Sequence, residues 1–475
     1  MEYSTPKEYL IRLHHVRPRF KNDIENVLVY MASEISKIPA QSKKKFANVV
    51  NEAVKRYPGN SGKSMDTINN WRTEISSLFG FIEHDGNTDL CGLRARELSD
   101  TGDLVRLFKS FLYTFQYPGA HIRTDKIKTQ IINGVKFKPA KHILQILKFG
   151  EEKVGCRVWL TKGEACHMIF NDLRVVRDNE SIEVTWDRIQ KNREDNITYN
   201  MKGDTTRYAG DIIDYMIAAN LLITYDNKRF YINSLEEEII QKFIHSTEWF
   251  DGYDIMIDKC KNFTSYIPDA VDIKNQYDDW FYYVNRNLSE TDFSTDVLAF
   301  LSYDHNIDGE KASSDSQKYF MNLLKTGVDI TTKEIGDFGE SLAFAHERAR
   351  LQLEGADNVI HLIKRIPSSL ALGYDINSRE ADERHRYIEV KTTISSKSIQ
   401  LFSFHLTRNE WNSAETNRTQ YFVYRLMVSK EKIKLYIISD PVGLYKNDVV
   451  RMVPTEGADI TFRPETAGIY EEILS

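Results

Sequence analysis

The segment RHRYIEVKTT, residues 384–393, constrains the fold of this chain more than any other stretch. Its Tyr, Ile, Val and Thr residues favour a strand. Side chains two positions apart on a strand share a face, so Glu389 and Lys391 point the same way. Just upstream, GYDINSR carries Asp375 in an extended run, and a hairpin through NSREADERHR lays Asp375 beside Glu389. Earlier still, Gly339-Glu340 opens the helical run ESLAFAHERARLQL. One helix followed by strand-like runs alternating with turns is the profile of an α/β domain, expected over 331–475.

That order of residues carries a chemistry. Asp375 and Glu389 together offer oxygen ligands to a hard cation such as Mg²⁺, with Mn²⁺ as a substitute. The ammonium of Lys391 would orient or help deprotonate an attacking water and offset charge on a phosphorane. The combination is metal-assisted phosphodiester hydrolysis. Acidic-x-Lys alone is common: EEK at 151–153, DNK at 226–228 and DIK at 272–274 match it too. What separates IEVK from these is the preceding helix and Asp-bearing strand, and its own apolar, β-branched setting.

Composition bounds the alternatives. At roughly 100–200 residues per domain, 475 residues make two to four domains. The 63 basic and 69 acidic side chains give a formal charge of -6, which argues against a polybasic nucleic-acid binder but leaves room for a local basic face. Four cysteines without a C-x-x-C spacing make neither a zinc ribbon nor a disulfide framework. His84, His167 and His361 lack an i, i+4 partner, and there is no G-x-x-x-x-G-K-[ST] loop. With no apolar leader and no stretch of about 18 apolar residues, the chain reads as soluble, cytoplasmic and without a membrane partner.

The amino-terminal half shows two helix-then-hairpin units, the layout of winged helices. In the first, over 1–145, Met65, Ile68, Ile75, Leu78 and Phe79 recur at helical spacing, with Ser64 as N-cap and Gly80 just past the end. A strand, a turn at Asp85-Gly86 and a second extended segment, TDLCGLRARELSDTG, follow. In the second, over 146–250, the helix of TRYAGDIIDYMIAAN stops near Asn220. ITY and RFYI then pair through a turn at Asp226-Asn227-Lys228. Residues 251–330 are expected to be a helical connector with an exposed loop near 303–317.

A winged helix places one helix in the major groove, where Asn reads adenine and Arg reads guanine. The DNA-contacting candidates are Asn69, Asn70 and Arg72, taken to lie off the apolar stripe, with Lys63 on phosphate. In the second unit they are Lys202, Arg207 and Tyr208 at the helix start, with Lys228 beside Arg229 on the wing. Exposed Asn, Arg and Lys also occur simply because they are solvated, and Trp71 fits a core anchor better than an interface residue.

The block GDFGESLAF, GYDINSR, YIEVKTT, FSFHLTRNEWNSA, QYFVYRL and IISDP, roughly 331–445, resembles the NO VEIN C-terminal domain family, placed in the PD-(D/E)xK nuclease superfamily. The resemblance implies that Asp375 and Glu389 are metal ligands, Lys391 the catalytic lysine and Glu340 a supporting acid. It makes Glu410-Trp411 and Tyr421 shapers of the fold rather than catalytic groups. The amino-terminal half is similar to the recognition domains of certain type IIS restriction endonucleases. The expected whole is a multidomain α+β protein, with tandem winged-helix domains ahead of a restriction-endonuclease-like α/β domain.

Its expected activity is Mg²⁺-dependent, site-specific cleavage of double-stranded DNA, as a bacterial type II, type IIS-like restriction enzyme of anti-phage defence. Expected partners are DNA, a second copy at least transiently on DNA, and a cognate methyltransferase. Two alternatives remain open: a modification-dependent, type IV-like enzyme sensing modified cytosine, and a DNA-binding protein whose nuclease fold is a scaffold only.

Overall fold

The computed structural model describes residues 2–3, 5–119, 123–263, 265–285, 291–302, 315–325 and 334–474. The chain divides into two compact units: Met1–Ser99 with Val105–Phe293, and Asp100–Leu104 with Ser294–Ser475. Most of the loop expected near 303–317 lies outside the described residues.

The first unit opens with α1 (Ile24–Ser36), β1 (Gln41–Ser42), α2 (Lys43–Arg56), α3 (Met65–Phe79), β2 (Ile82–Asp85) and β3 (Thr88–Cys91). The strands form a small antiparallel sheet in the order β1-β3-β2. Ser64 caps α3 by accepting from the Thr67 amide, and Gly80 ends it in the left-handed conformation at φ 72°. The extended segment after the turn is shorter than expected. It stops at Cys91, and LRARELSDT becomes a helix, α4 (Leu93–Thr101). Arg94, Ala95 and Leu98 are buried along one side of it, a helical rather than an alternating spacing.

Further along the same unit, α5 (Asp204–Ala218) leads to β4 (Leu222–Ile223) and β5 (Tyr231–Ile232). Asn220 takes the left-handed conformation at φ 60°, and Asn227 does so in the turn at φ 56°. The Asp226 carboxylate closes that turn by accepting from the Lys228 and Arg229 amides. The ladder itself is only two pairs long. The segment set apart as a connector starts inside this unit: α6 (Tyr277–Asn285) buries Trp280 to 1% exposure, and its indole donates to Ser77 O at 3.2 Å.

The second unit centres on α7 (Ile335–Leu353), β6 (Lys364–Arg365), β7 (Ile376–Arg379), β8 (His385–Ser395), β9 (Ser403–Thr407), α8 (Arg408–Asn417), β10 (Tyr421–Ser429) and β11 (Ile433–Ser439). After these come β12 (Arg451–Pro454), β13 (Gly457–Thr461) and β14 (Ile469–Leu474). One six-stranded sheet runs β14-β11-β10-β8-β7-β6, and β9, β13 and β12 form a second, three-stranded sheet. β6, β7 and β8 are an antiparallel meander, whereas β10 lies parallel to β8. A parallel neighbour needs a crossover, and β9 with α8 supplies it. Tyr421, Val423, Tyr436 and Ile438 share a core with Phe404, Leu406, Ala414 and Ile460 under that crossover.

Candidate active site

The antiparallel register of β7 and β8 sets Ile376 against Ile388. This puts Asp375, at the entrance to β7, next to Glu389. The Asp375 carboxylate accepts from the Val390 amide at 2.8 Å, and its own amide donates to Ile388 O at 2.9 Å. Lys391, two residues on from Glu389, turns its Nζ to within 2.7 Å of Glu389 Oε1 and 2.8 Å of Glu410 Oε2. Glu340 reaches this group from α7. The preceding Gly339 is buried so tightly against β8 that a Cβ there would stand 1.8 Å from Thr392 Oγ1. Only glycine lets the helix approach this closely.

The centre is therefore four carboxylates around one ammonium: Glu340, Asp375, Glu389 and Glu410 with Lys391. Its electrostatics follow from that imbalance. Burial pushes Asp375 up, against the opposing effects of the Val390 amide and Lys391. Burial does the same to Glu340, with Asp375 adding to it, so that its pKa rises to about 7. Glu389, 4% exposed, is driven well up, by burial first and then, against the pull of Lys391, by its acidic neighbours. Burial also lifts Glu410, but Lys391 and the hydrogen bonds from Lys391, the Thr407 amide and Glu389 outweigh it and leave Glu410 low. The lysine loses charge stability by burial and regains more from its two carboxylates, so it stays protonated. In this state it is a fixed positive charge rather than a base.

Glu410 is the member of the site that the sequence reading left among the fold-shaping positions. It is the N3 residue of a capping box, in which Thr407 and Glu410 satisfy each other's amides at the start of α8. The motif T-x-x-E marks that helix start in the sequence. Tyr421 OH donates to Gly373 O at 2.9 Å, and Trp411 packs near Tyr445.

Among the described residues, no three His, Cys, Asp or Glu side chains converge in a ready metal-holding arrangement. Glu389 is turned to Lys391 instead. The donor set nevertheless suits a hard divalent cation: it is all oxygen, and three of its acids are pushed up by burial and mutual repulsion that added positive charge would relieve.

Glu340 makes this testable without metal. An acid whose folded pKa exceeds its ordinary 4.5 leaves stability intact below that value and removes it as pH rises towards about 7. In EDTA, Glu340→Gln is expected to be more stable than wild type by about 1–2 kcal/mol at pH 8, after discounting for partial solvent exposure. It should match wild type near pH 4.5. Urea unfolding at the two pH values checks this, and equal stabilities at pH 8 would contradict it.

The DNA-contacting candidates are spread over the first unit. Lys63 lies exposed, its Nζ 4.8 Å from the centre of the Trp71 ring. Trp71 is 3% exposed and packs against Phe20 and Tyr57, as a core anchor does. Asn69 and Asn70 are half-buried on α3. Arg72 departs from the expectation that it lies off the apolar stripe. It is four residues from buried Ile68 and three from buried Ile75, and so in phase with them. Its Nη1 donates to Asn51 Oδ1 of α2 at 2.8 Å and to Asn69 Oδ1 at 3.1 Å, and burial lowers its pKa. Arg72 thus clasps α2 to α3. Lys202 and Arg207 are exposed at the start of α5, and Tyr208 packs edge-on against His14 at 4.9 Å and His15 at 5.1 Å. Lys228 is exposed on the β4–β5 turn.

Two family models match the sequence. The one for the NO VEIN protein, C-terminal, covers residues 339–438. The one for the restriction endonuclease BpuJI, N-terminal, covers residues 3–281. Among solved structures, the chain is similar to the BpuJ1 endonuclease binding domain, crystallised in complex with pyrene- and phenanthrene-modified DNA. The two are 22% identical with a TM-score of 0.50, over 60% of this chain and 100% of that one. At that identity the likeness is one of fold. No curated protein matches. Among the described residues no helix is long and apolar enough to cross a membrane. Since the BpuJI match spans more than half of the sequence, the chain belongs to the family of the restriction endonuclease BpuJI N-terminal domain.

Proposed function

We propose that this protein is a Mg²⁺-dependent, site-specific endonuclease of double-stranded DNA, a type II, type IIS-like restriction enzyme. The first unit reads the sequence and the second cuts. The observation that carries the reading is the convergence of Asp375, Glu389 and Lys391 on adjacent antiparallel strands, with Glu340 brought in by α7. The order helix, three-strand meander, crossover helix and parallel fourth strand, in α7, β6–β8, α8 and β10, supports a PD-(D/E)xK core for the second unit. For the first unit, the order α1-β1-α2-α3-β2-β3 and the later α5-β4-β5 support winged helices. The DNA in the crystal of the similar binding domain supports a recognition role.

Asp375 and Glu389 would hold the cation, with Glu340 beside them. Mg²⁺, when bound, supplies positive charge at the scissile phosphate. Lys391, held charged between two carboxylates, stabilises the negative charge that develops as water attacks and positions that water. Glu410 keeps the ammonium in place from the other side. One such centre cuts one strand, so double-strand cleavage calls for two copies on the duplex, and a cognate methyltransferase would protect the host's own sites.

Chelation tests the reading. Digestion of unmodified DNA is expected to give discrete fragments with Mg²⁺ or Mn²⁺ and none with EDTA. Activity undiminished in EDTA, or random degradation, would contradict it.

A further inference from the structure

The strand pair that carries the acidic centre continues outward as a different surface. On β8 the residues in phase with Glu389 and Lys391 are Tyr387 and His385, and across the ladder Asn377 faces Tyr387 and Arg379 faces His385. One face therefore runs from Asp375, Glu389 and Lys391 to Asn377, Tyr387, Arg379 and His385. At about 3.3 Å per residue, His385 is roughly 13 Å along the strand from Glu389.

This outer stretch is built and accessible. The rings of His385 and Tyr387 stack at 5.2 Å with 13° between their planes, and Tyr374 joins Tyr387 at 4.7 Å. Arg379 Nη1 donates to Asn377 Oδ1 at 2.8 Å, to Ser378 O at 3.0 Å and to His385 Nδ1. Because a guanidinium can only donate, His385 accepts through Nδ1 and carries its proton on Nε2. That leaves His385 Nε2–H, the Arg379 Nε and Nη2 groups and the Tyr374 and Tyr387 hydroxyls without partners among the described residues. Of the acids in the hairpin, Glu380 pairs with Arg386 at 3.0 Å and Asp382 with Arg384 at 2.8 Å.

We propose that the row Tyr374–Tyr387–His385 with Arg379 binds the DNA strand flanking the cut, unpaired bases stacking on the rings and phosphates bonding Arg379 and His385. A core-packing role explains the partly buried bodies of Tyr374 and Tyr387 but not a preset arginine with two idle donor edges beside an open ring stack. Stacking needs exposed base faces, which a closed duplex withholds, so the ligand is single-stranded or frayed DNA. At 3.4 Å per nucleotide of a strand, the row lies within about four nucleotides of the centre. The assignment rests on reading Asp375, Glu389 and Lys391 as the cleavage centre.

Photocrosslinking of the full-length wild-type protein in EDTA tests it, using duplexes with a blunt end or with a single-stranded tail containing 5-iododeoxyuridine. Crosslinks are expected at Tyr387, His385 or Tyr374 with the tailed duplex. The double variant Arg379→Ala, His385→Ala should lower affinity for the tailed duplex about fivefold or more, relative to the blunt one. Crosslinks confined to other residues, or an affinity difference unchanged by the variant, would overturn the proposal. Wild-type cleavage of the same DNA with Mg²⁺ separates the two readings. Cleavage without crosslinks on this row removes the row alone, whereas such crosslinks without cleavage uphold the row and remove the nuclease.

Discussion

Lys391→Ala is expected to reduce DNA cleavage by about 10²- to 10³-fold or more, the usual cost of removing one preorganised charge from a transition state, while DNA affinity stays within about twofold. The lysine is held in the second unit by Glu389 at 2.7 Å and Glu410 at 2.8 Å, and the proposed cleavage puts it where charge develops rather than in sequence reading. Its removal leaves four acids with no ammonium among them, so the cleavage that remains should need no more Mg²⁺ than the wild type does. Glu410→Gln keeps the Thr407 cap and loses the negative charge. It should retain more activity than Lys391→Ala, because Glu389 still holds the lysine. Parallel loss of binding and cleavage in Lys391→Ala would show that the residue supports the fold or the interface rather than the chemistry.

The second large effect is on stability. Glu347 in the middle of α7 is fully buried, yet it carries a charge network: Arg350 Nη2 at 2.8 Å, Arg386 Nε at 3.6 Å and the hydroxyl of Tyr424. Burial alone would raise its pKa, but His346, Arg386 and Arg350 together hold it well below the carboxylate range. Arg386 in turn lies over Phe422, 3.7 Å from the ring centre, and bonds Tyr424 OH at 2.9 Å. This is how a helix bearing Glu340 on one turn is fixed to the strand bearing Glu389. Glu347→Ala removes the buried carboxylate that the two guanidinium groups share and leaves them to Glu380 and Glu354 at the seam's edge, which costs about 3 kcal/mol, the low end for breaking a buried ion pair. For a unit of this size that is a fall of about 10 °C in Tm. A calorimetric Tm within about 2 °C of wild type would mean that water or other carboxylates relieve the arginines.

What the sequence made legible was local and periodic. The two-residue period of a strand put Glu389 and Lys391 on one face, and a single hairpin brought Asp375 to them. Ser64 and Gly80 marked the ends of α3 because capping chemistry is written in the residues themselves. The failures are tertiary or a matter of phase. Glu410 reaches Lys391 only because the crossover helix α8 returns over the sheet, a fact that no spacing within 389–410 encodes. Arg72 is polar and reads as lying on the open side of α3, but its helical phase places it with Ile68 and Ile75, where Asn51 from another helix satisfies it. QYDDWFYYVN combines acids with aromatics and reads as a linker, yet Trp280, Phe281, Tyr283 and Val284 all turn inward. An amphipathic helix does not reveal which core it joins.

The proposed function has the Asp375–Glu389–Lys391 centre cut DNA at sites chosen elsewhere in the chain. It is tested most directly by incubating wild type and Asp375→Ala with Mg²⁺ and two phage DNAs, one unmodified and one carrying modified cytosine, and measuring DNA binding in parallel. Discrete fragments of the unmodified DNA are expected from wild type alone, with both proteins binding equally. Fragments from the modified DNA only would replace the type II reading by modification-dependent cleavage. Intact DNA of both kinds under binding conditions, or cleavage that persists in Asp375→Ala, would contradict the assignment of this centre.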